Sequence, residues 1–261
     1  MSLTGKAETK IEKGIAWVTF FHPQSNSLPG ELLRKMADEI TNAGSNPDAR
    51  LIVLQSEGQN PPAGKAGAFC AGASFDELIS IKDFEAGKKF FSGFASVINA
   101  MRKAPKFVIA RVHGKAVGGG VGLACAADYT LAVEGASVKL SELAVGIGPF
   151  VVGPAVERKI GSAAYTELSI NATEWRDAKW AREKGLYTDV FKTVSEMDKA
   201  LGALAEKLSN SNPEAMRLLK KVFWKGTEDW DTLLIERAEM SGKLVLSEFT
   251  VNAINKFKTK G

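Results

Sequence analysis

Three short segments of this 261-residue chain hold the residues whose types and spacing could do chemistry. The first is Gly118-Gly119-Gly120-Val121-Gly122-Leu123, a glycine run opening a helix. With no side chains over them, the N–H groups at the positive end of such a helix are open to a ligand oxygen. The run fails the G-x-G-x-x-G spacing of a dinucleotide fingerprint, and no Gly-Lys-Ser/Thr follows as in a phosphate loop. Taken alone, it could equally be a tight turn with close helix packing. The second segment is Phe69-Cys70-Ala71-Gly72-Ala73-Ser74-Phe75, at the end of a Gly/Pro-rich loop. No histidine lies near Cys70 in sequence, so this thiol reads as buried and inert rather than nucleophilic. The third is Lys139-Leu140-Ser141-Glu142-Leu143, followed by Gly146-Ile147-Gly148-Pro149-Phe150. Here a carboxyl sits in an apolar stretch between a strand end and a Gly/Pro loop. Apolar surroundings raise a carboxyl pKa, which suits proton transfer near neutral pH. A solvated loop glutamate is the competing reading.

The elements that must position these segments follow from periodicity. Ile15–Phe21, Leu51–Leu54, Lys106–Val112, Tyr129–Glu134 and Val138–Leu140 read as strands. Glu31–Ala43 reads as an amphipathic helix, with Leu32, Leu33, Met36 and Ile40 on one face. Phe84–Met101 repeats that pattern with Phe90, Phe94, Val97, Ile98 and Met101. From about Gly153 the pattern is helical nearly to the end. Thr173 is the expected N-cap of a helix through Lys184, with Gly185 as its C-cap. Asn212-Pro213 starts another helix to about Lys225, and a last helical stretch runs from about Glu228 into a basic tail. Strands with crossover helices first and helices afterwards predict an α/β core with a helical C-terminal region.

Composition excludes several classes. Apolar residues make up 45% and charged residues 25%, the balance of an ordinary globular protein. No window holds 18 uninterrupted apolar residues, so no membrane span is expected. The start MSLTGKAETKIEKG has no apolar h-region, so no secretory signal is expected. Cys70 and Cys125 lack metal-ligand spacing, and His22 and His113 are the only histidines, so no metal site is expected. Two thiols without pairing signals suit a cytoplasmic chain. A net charge of +4 is too weak and too evenly spread to argue for nucleic acid.

Taken together, GGGVGL, FCAGA and the SEL…GIGP segment resemble the crotonase superfamily, the enoyl-CoA hydratase/isomerase family. The resemblance covers most of the chain. It includes His22-Pro23-Gln24-Ser25-Asn26-Ser27-Leu28, similar to the family's segment ending in Asn-Ala-Leu, and Ala178…Trp180-Ala181…Gly185-Leu186, similar to its Ala…Ala…Gly-Leu helix end. It implies an α/β crotonase-like spiral of ββα repeats, with residues 1–200 as the core holding an acyl-CoA site and 201–261 as a helical trimerisation region. It implies a homotrimer or a dimer of trimers, an acyl-CoA substrate, and no cofactor apart from the coenzyme A that belongs to the substrate. By motif match the backbone N–H groups of Ala73 and Gly119 form an oxyanion hole for the thioester oxygen, and Glu142 moves the proton. Ser25, Ala71, Gly72, Ser74, Gly118, Gly122 and Phe150 are the implied substrate-binding positions. Lys65 and the tail lysines Lys256, Lys258 and Lys260 are candidates for the CoA phosphates.

One departure from the family pattern matters. Its hydratases usually carry two glutamates, the first three residues after the oxyanion glycine and the second twenty residues later. Here those positions are Gly122 and Glu142, so one carboxylate is left. A single base suits a Δ3,Δ2-enoyl-CoA isomerase, which carries one proton from C2 to C4. Resemblance points instead to hydratases of the branched-chain, methylglutaconyl-CoA type, which can carry Gly at the first position. Hydratase is placed ahead of isomerase, and a non-catalytic acyl-CoA binder is the reading from a different class. Dienoyl-CoA isomerases place an Asp eight residues after the second Glu, and the family's dehalogenase uses an Asp nucleophile at the same aligned place. That position is Phe150 here, which suggests an apolar wall.

Overall fold

One repeated unit builds two sheets in the computed structural model, which describes residues 5–58 and 67–258. The chain opens with β1 (Lys6–Glu12), β2 (Ile15–Phe21) and α1 (Gly30–Ser45). Three units of strand, strand and helix follow. The first is β3 (Leu51–Ser56), β4 (Gly67–Cys70), α2 (Phe75–Ser80) and α3 (Phe84–Lys103). The second is β5 (Val108–Val112), β6 (Gly114–Val117) and α4 (Gly119–Ala126). The third is β7 (Tyr129–Val133), β8 (Val138–Lys139), a 3-10 turn at Leu143–Val145 and α5 (Gly153–Ile170). The remainder is α6 (Ala178–Glu183), β9 (Asp189–Phe191), α7 (Val194–Ser209), α8 (Pro213–Phe223), α9 (Trp230–Leu244) and α10 (Glu248–Lys258).

Each unit gives its first strand to a six-stranded sheet ordered β1-β2-β3-β5-β7-β9 and its second to a three-stranded sheet ordered β4-β6-β8. All pairings are parallel except β1 with β2. Leu51 to Leu54 are fully buried, as a central parallel strand covered on both faces requires. The helix stripes also fall as periodicity predicts: Leu32, Leu33, Met36 and Ile40 of α1, and Phe90, Phe94, Val97, Ile98 and Met101 of α3, are buried. At their C-terminal ends β4, β6 and β8 lead into the Ala71–Ser74 loop, the Gly118 turn and Ser141–Glu142. The small sheet thus delivers all three chemistry-bearing segments to one edge.

The structure corrects the sequence reading in several places. The helix expected from Thr173 starts at Ala178, capped by Asp177, whose Oδ1 accepts the Trp180 N–H at 2.7 Å. Arg176 is held extended by two backbone bonds with Val138 at 2.8 and 3.0 Å, so the helix cannot begin earlier. Gly185, at φ +82°, follows the helix end as expected. Strand β9 interrupts the helical second half and pairs with β7. The last helical stretch is two helices, α9 and α10. Strands β1, β4 and β6 were not expected: β1 is an edge strand whose inward residues Ala7, Thr9 and Ile11 are only half-buried, and the other two are four residues long, half of them Gly and Ala.

Candidate active site

The Ala71–Ser74 loop is held by the loop before α1. Ser25 and Asn26 both adopt left-handed backbone conformations, at φ +53° and +56°. Asn26 Oδ1 accepts the His22 N–H at 2.9 Å, while its Nδ2 donates to Glu57 O at 2.7 Å and Ala68 O at 3.0 Å. One buried amide thus ties the ends of β2, β3 and β4 together. Ser25 O accepts the Ala71 N–H at 3.1 Å, Gly72 O accepts from Leu28 N–H at 2.8 Å, and Leu28 O accepts from Ser74 N–H at 3.2 Å. The Gly72 N–H is directed at the Cys70 sulfur at 3.4 Å. Within Ala71–Ser74 the Ala73 N–H alone has no acceptor among the described residues.

Asn26→Ala removes the shared amide and leaves two carbonyls and one N–H unpaired, at about 1–3 kcal/mol for each buried group. A melting temperature lower by several degrees is the expected result, with turnover falling as the loop loosens. Thermal unfolding followed by circular dichroism checks the first part, and a melting curve that overlays the wild type refutes it.

The second candidate donor stands at the start of α4. Gly118, at φ +52°, donates its N–H to Lys139 O at 2.8 Å, while its carbonyl accepts from Val121 and Gly122. The Gly119 N–H has no acceptor among the described residues. A Cβ on Gly72 would lie 3.6 Å from Gly119 N, which shows how closely the two donor loops abut. A Cβ on Gly119 would lie 2.2 Å from Phe94 Cε1, so only glycine lets the ring cover this turn.

Glu142 completes the arrangement. A Cβ on Gly118 would sit 2.8 Å from Glu142 Oε1, placing the carboxyl beside the donor turn. Oε2 is buried with no hydrogen-bond partner. Burial is the main cause of a pKa pushed up to about 7. A carboxyl near neutrality with one oxygen free, beside two free N–H donors, can take up and release a proton next to a stabilised oxyanion.

These groups line one cleft with about 550 Å³ of empty space. Of the residues expected from sequence, Ala71, Gly72, Ala73, Gly118, Gly119, Glu142 and Phe150 line it. Ser25, Ser74 and Gly122 do not. Ser25 enters through its carbonyl bond to Ala71, and Ser74 caps α2 by accepting the Glu77 N–H. Gly122 faces Val152: a Cβ there would lie 2.5 Å from Val152 Cγ1. The place where a second catalytic carboxylate would begin is therefore filled by a valine. Phe75, Leu78, Phe91, Phe94, Val145, Ile147, Val151, Val152 and Ser241 also line the cleft, and sequence reasoning had not assigned them to it. Helical spacing places Phe94 on the core face of α3, and spacing does not separate a core face from a cleft wall.

The other reactive groups stand apart from this chemistry. Both thiols are buried, with pKa values pushed up to about 12. His22 is held in the early loop by Ser27 and the Gln24 N–H, and burial lowers its pKa. Burial takes His113 down to about 4. No metal-binding cluster occurs among the described residues. Lys65 and Lys260 lie outside the described residues, as does the side chain of Lys258, while Lys256 is exposed on α10. No described helix is long and apolar enough to cross a membrane.

Comparison with known proteins bears on the family and the fold. The family model described as "Enoyl-CoA hydratase/isomerase" matches residues 10–256. A Bacillus subtilis (strain 168) protein named "Probable enoyl-CoA hydratase" is 27% identical over 252 residues, 96% of this chain and 94% of its own. The mitochondrial methylglutaconyl-CoA hydratase of Rattus norvegicus is 33% identical over 208 residues, 78% of this chain and 63% of its own length. The crystal structure of an enoyl-CoA hydratase from Bacillus halodurans superposes with a TM-score of 0.85 at 19% identity, covering 96% of this chain and 99% of that one. One from Mycobacterium avium gives 0.82 at 23%, covering 100% and 97%. At these identities the structures speak for the fold.

Proposed function

Because this chain belongs to the enoyl-CoA hydratase/isomerase family, we propose that it hydrates a 2-enoyl-CoA thioester, with Glu142 as its one proton-transfer group. Membership supplies the acyl-CoA substrate and the enzyme class; the choice among reactions rests on the cleft. The observation that carries it is the buried, unpaired Oε2 of Glu142 at the edge where the Ala73 and Gly119 N–H groups are free.

In this reading the thioester oxygen accepts from those two N–H groups, which draws electron density out of the C2–C3 double bond. Protonated Glu142 delivers its proton to C2. Water adds its oxygen to C3, and the proton that water loses goes to the other Glu142 oxygen. The carboxyl ends as it began, so a second glutamate is not required. The cleft favours an uncharged acyl group, straight or branched. A methylglutaconyl group would bring a second carboxylate, and no Lys, Arg or His lines the cleft among the described residues.

Val152 against Gly122 supports a second reading, isomerisation of a 3-enoyl-CoA, because that reaction needs only one carboxylate. The two differ in the form of Glu142 that starts the reaction. Hydration needs the protonated carboxyl, so kcat/KM falls as pH rises through about 7. Isomerisation starts by removing a C2 proton, needs the carboxylate, and loses kcat/KM as pH falls through the same value. Crotonyl-CoA, a branched 2-enoyl-CoA, methylglutaconyl-CoA and 3-hexenoyl-CoA, each followed across pH 5.5–8.5, separate the two. Turnover of 3-hexenoyl-CoA alone, falling on the acid side, would replace hydration with isomerisation.

A further inference from the structure

The cleft holds a hydroxyl, on an element apart from the proton-transfer group, that proton transfer does not use. Ser141, Glu142 and Ser241 are the only cleft-lining residues with a polar side chain among those described; the rest are Gly, Ala, Val, Leu, Ile, Phe or Pro. Ser141 precedes Glu142 and belongs to the reacting end. Ser241 comes from α9, an element that carries no other part of the site. The backbones of α9 and α3 touch where Gly87 meets Gly242, since a Cβ on Gly87 would lie 2.8 Å from Gly242 O. That contact sets Ser241 near Phe91, one turn along α3 from Gly87, and both line the cleft. Ser241 is only 1% exposed. Its hydroxyl makes no hydrogen bond among the described residues, not even the common one to the carbonyl one turn back in its helix.

An unpaired hydroxyl at an apolar wall is unfavourable unless a ligand completes it. Alanine would pack there without that cost. We propose that Ser241 is a specificity residue, hydrogen-bonding a neutral oxygen (a hydroxyl or a ketone) carried on the acyl chain of the substrate. This rests on the acyl-CoA reading of the cleft. A neutral oxygen fits better than a carboxylate because no cation accompanies Ser241 in the cleft among the described residues. A site built to hydrogen-bond a substrate oxygen discriminates strongly against the analogue lacking it, since the protein group is then left unpaired.

The test compares hex-2-enoyl-CoA with its 6-hydroxy and 5-oxo derivatives on wild type, Ser241→Ala and Ser141→Ala. In the wild type, kcat/KM for at least one oxygenated substrate should exceed that for hex-2-enoyl-CoA. Ser241→Ala should lower that ratio about tenfold, the equivalent of one hydrogen bond, whereas Ser141→Ala should act on both substrates alike. A ratio that Ser241→Ala leaves in place overturns the proposal. Calorimetric binding of saturated hexanoyl-CoA and 6-hydroxyhexanoyl-CoA reads the pocket without turnover. Selective weakening of the hydroxylated ligand in Ser241→Ala keeps the specificity role even if hydration itself fails. Equal affinities for both ligands in both proteins remove it.

Discussion

Replacing Glu142 with glutamine should leave an acyl-CoA bound and cut turnover at least about a hundredfold, the scale expected for loss of a general acid–base group. The amide keeps the shape and much of the polarity of the side chain, so the cleft walls stay in place. It cannot give a proton to C2 or accept one from water. The same substitution should stabilise the protein, and the sign follows from the pKa. The folded carboxyl titrates at about 7, against an ordinary value of 4.5. Below pH 4.5 both states hold the proton and the residue costs nothing. Between 4.5 and 7 the unfolded chain ionises while the folded one keeps its proton, so stability falls. Above 7 the full difference is present, about 3 kcal/mol at 1.36 kcal/mol per pH unit. Glu142→Gln removes that penalty, so its melting temperature should exceed the wild type's at pH 8 and match it near pH 4. Steady-state kinetics, acyl-CoA calorimetry and melts at two pH values check all three parts. Unchanged turnover would exclude Glu142 as the proton carrier. Absence of turnover in the wild type itself, with acyl-CoA still bound, would favour a non-catalytic binder.

That expectation was largely legible in the sequence, because residue type carries it. A glycine run before a helix, a small-residue loop and a glutamate among apolar neighbours each state a backbone or solvation requirement locally. Strands and helices with a full apolar face, such as β3 and α1, were equally legible from their period. What escaped was set by partners distant in sequence. Strands β4 and β6 hold four residues each, too short to show a period, yet with β8, which was legible at Val138–Leu140, they form the sheet that brings the three segments together. Thr173 had the right chemistry for a cap, but pairing of Arg176 with Val138 moved the helix start to Asp177. Gly122 advertised a missing carboxylate; that Val152 occupies its space is a tertiary fact. Ser241 gave no signal, because a serine within a helix is ordinary until its hydroxyl is seen without a partner at a cleft.

The largest stability effect should come from a residue outside the cleft. Asp128 lies two residues beyond the end of α4, the helix that presents Gly119. Its carboxylate accepts the Val108 N–H at 2.7 Å, the Lys220 ammonium at 2.5 Å and the Trp224 indole N–H at 2.7 Å. Lys220 also donates to Met101 O at 2.9 Å, and both members of the ion pair are buried, at 3% and 5% side-chain exposure. Lys159 donates to the carbonyls of Ala127 and Asp128, and the Arg158 guanidinium covers the Trp224 ring at 4.1 Å. Burial holds the pKa values of Lys220, Lys159 and Arg158 below their ordinary values, so these cations depend on the one carboxylate. Asp128→Ala leaves a buried ammonium and two N–H groups without their acceptor. Breaking such a pair costs about 3–5 kcal/mol, a large share of a total stability of about 5–15 kcal/mol. At about 2–4 °C per kcal/mol, the melting temperature should fall by roughly 6–20 °C. The companion Lys220→Met should cost less, because the carboxylate keeps two N–H partners. In the double variant the total loss should be smaller than the sum of the two single losses, since the Lys220 ammonium is then no longer left buried without its carboxylate. Denaturant titration of the four proteins measures that coupling. Strict additivity would show that Asp128 and Lys220 stabilise the fold independently, and that the end of α4 is held by packing rather than by the ion pair.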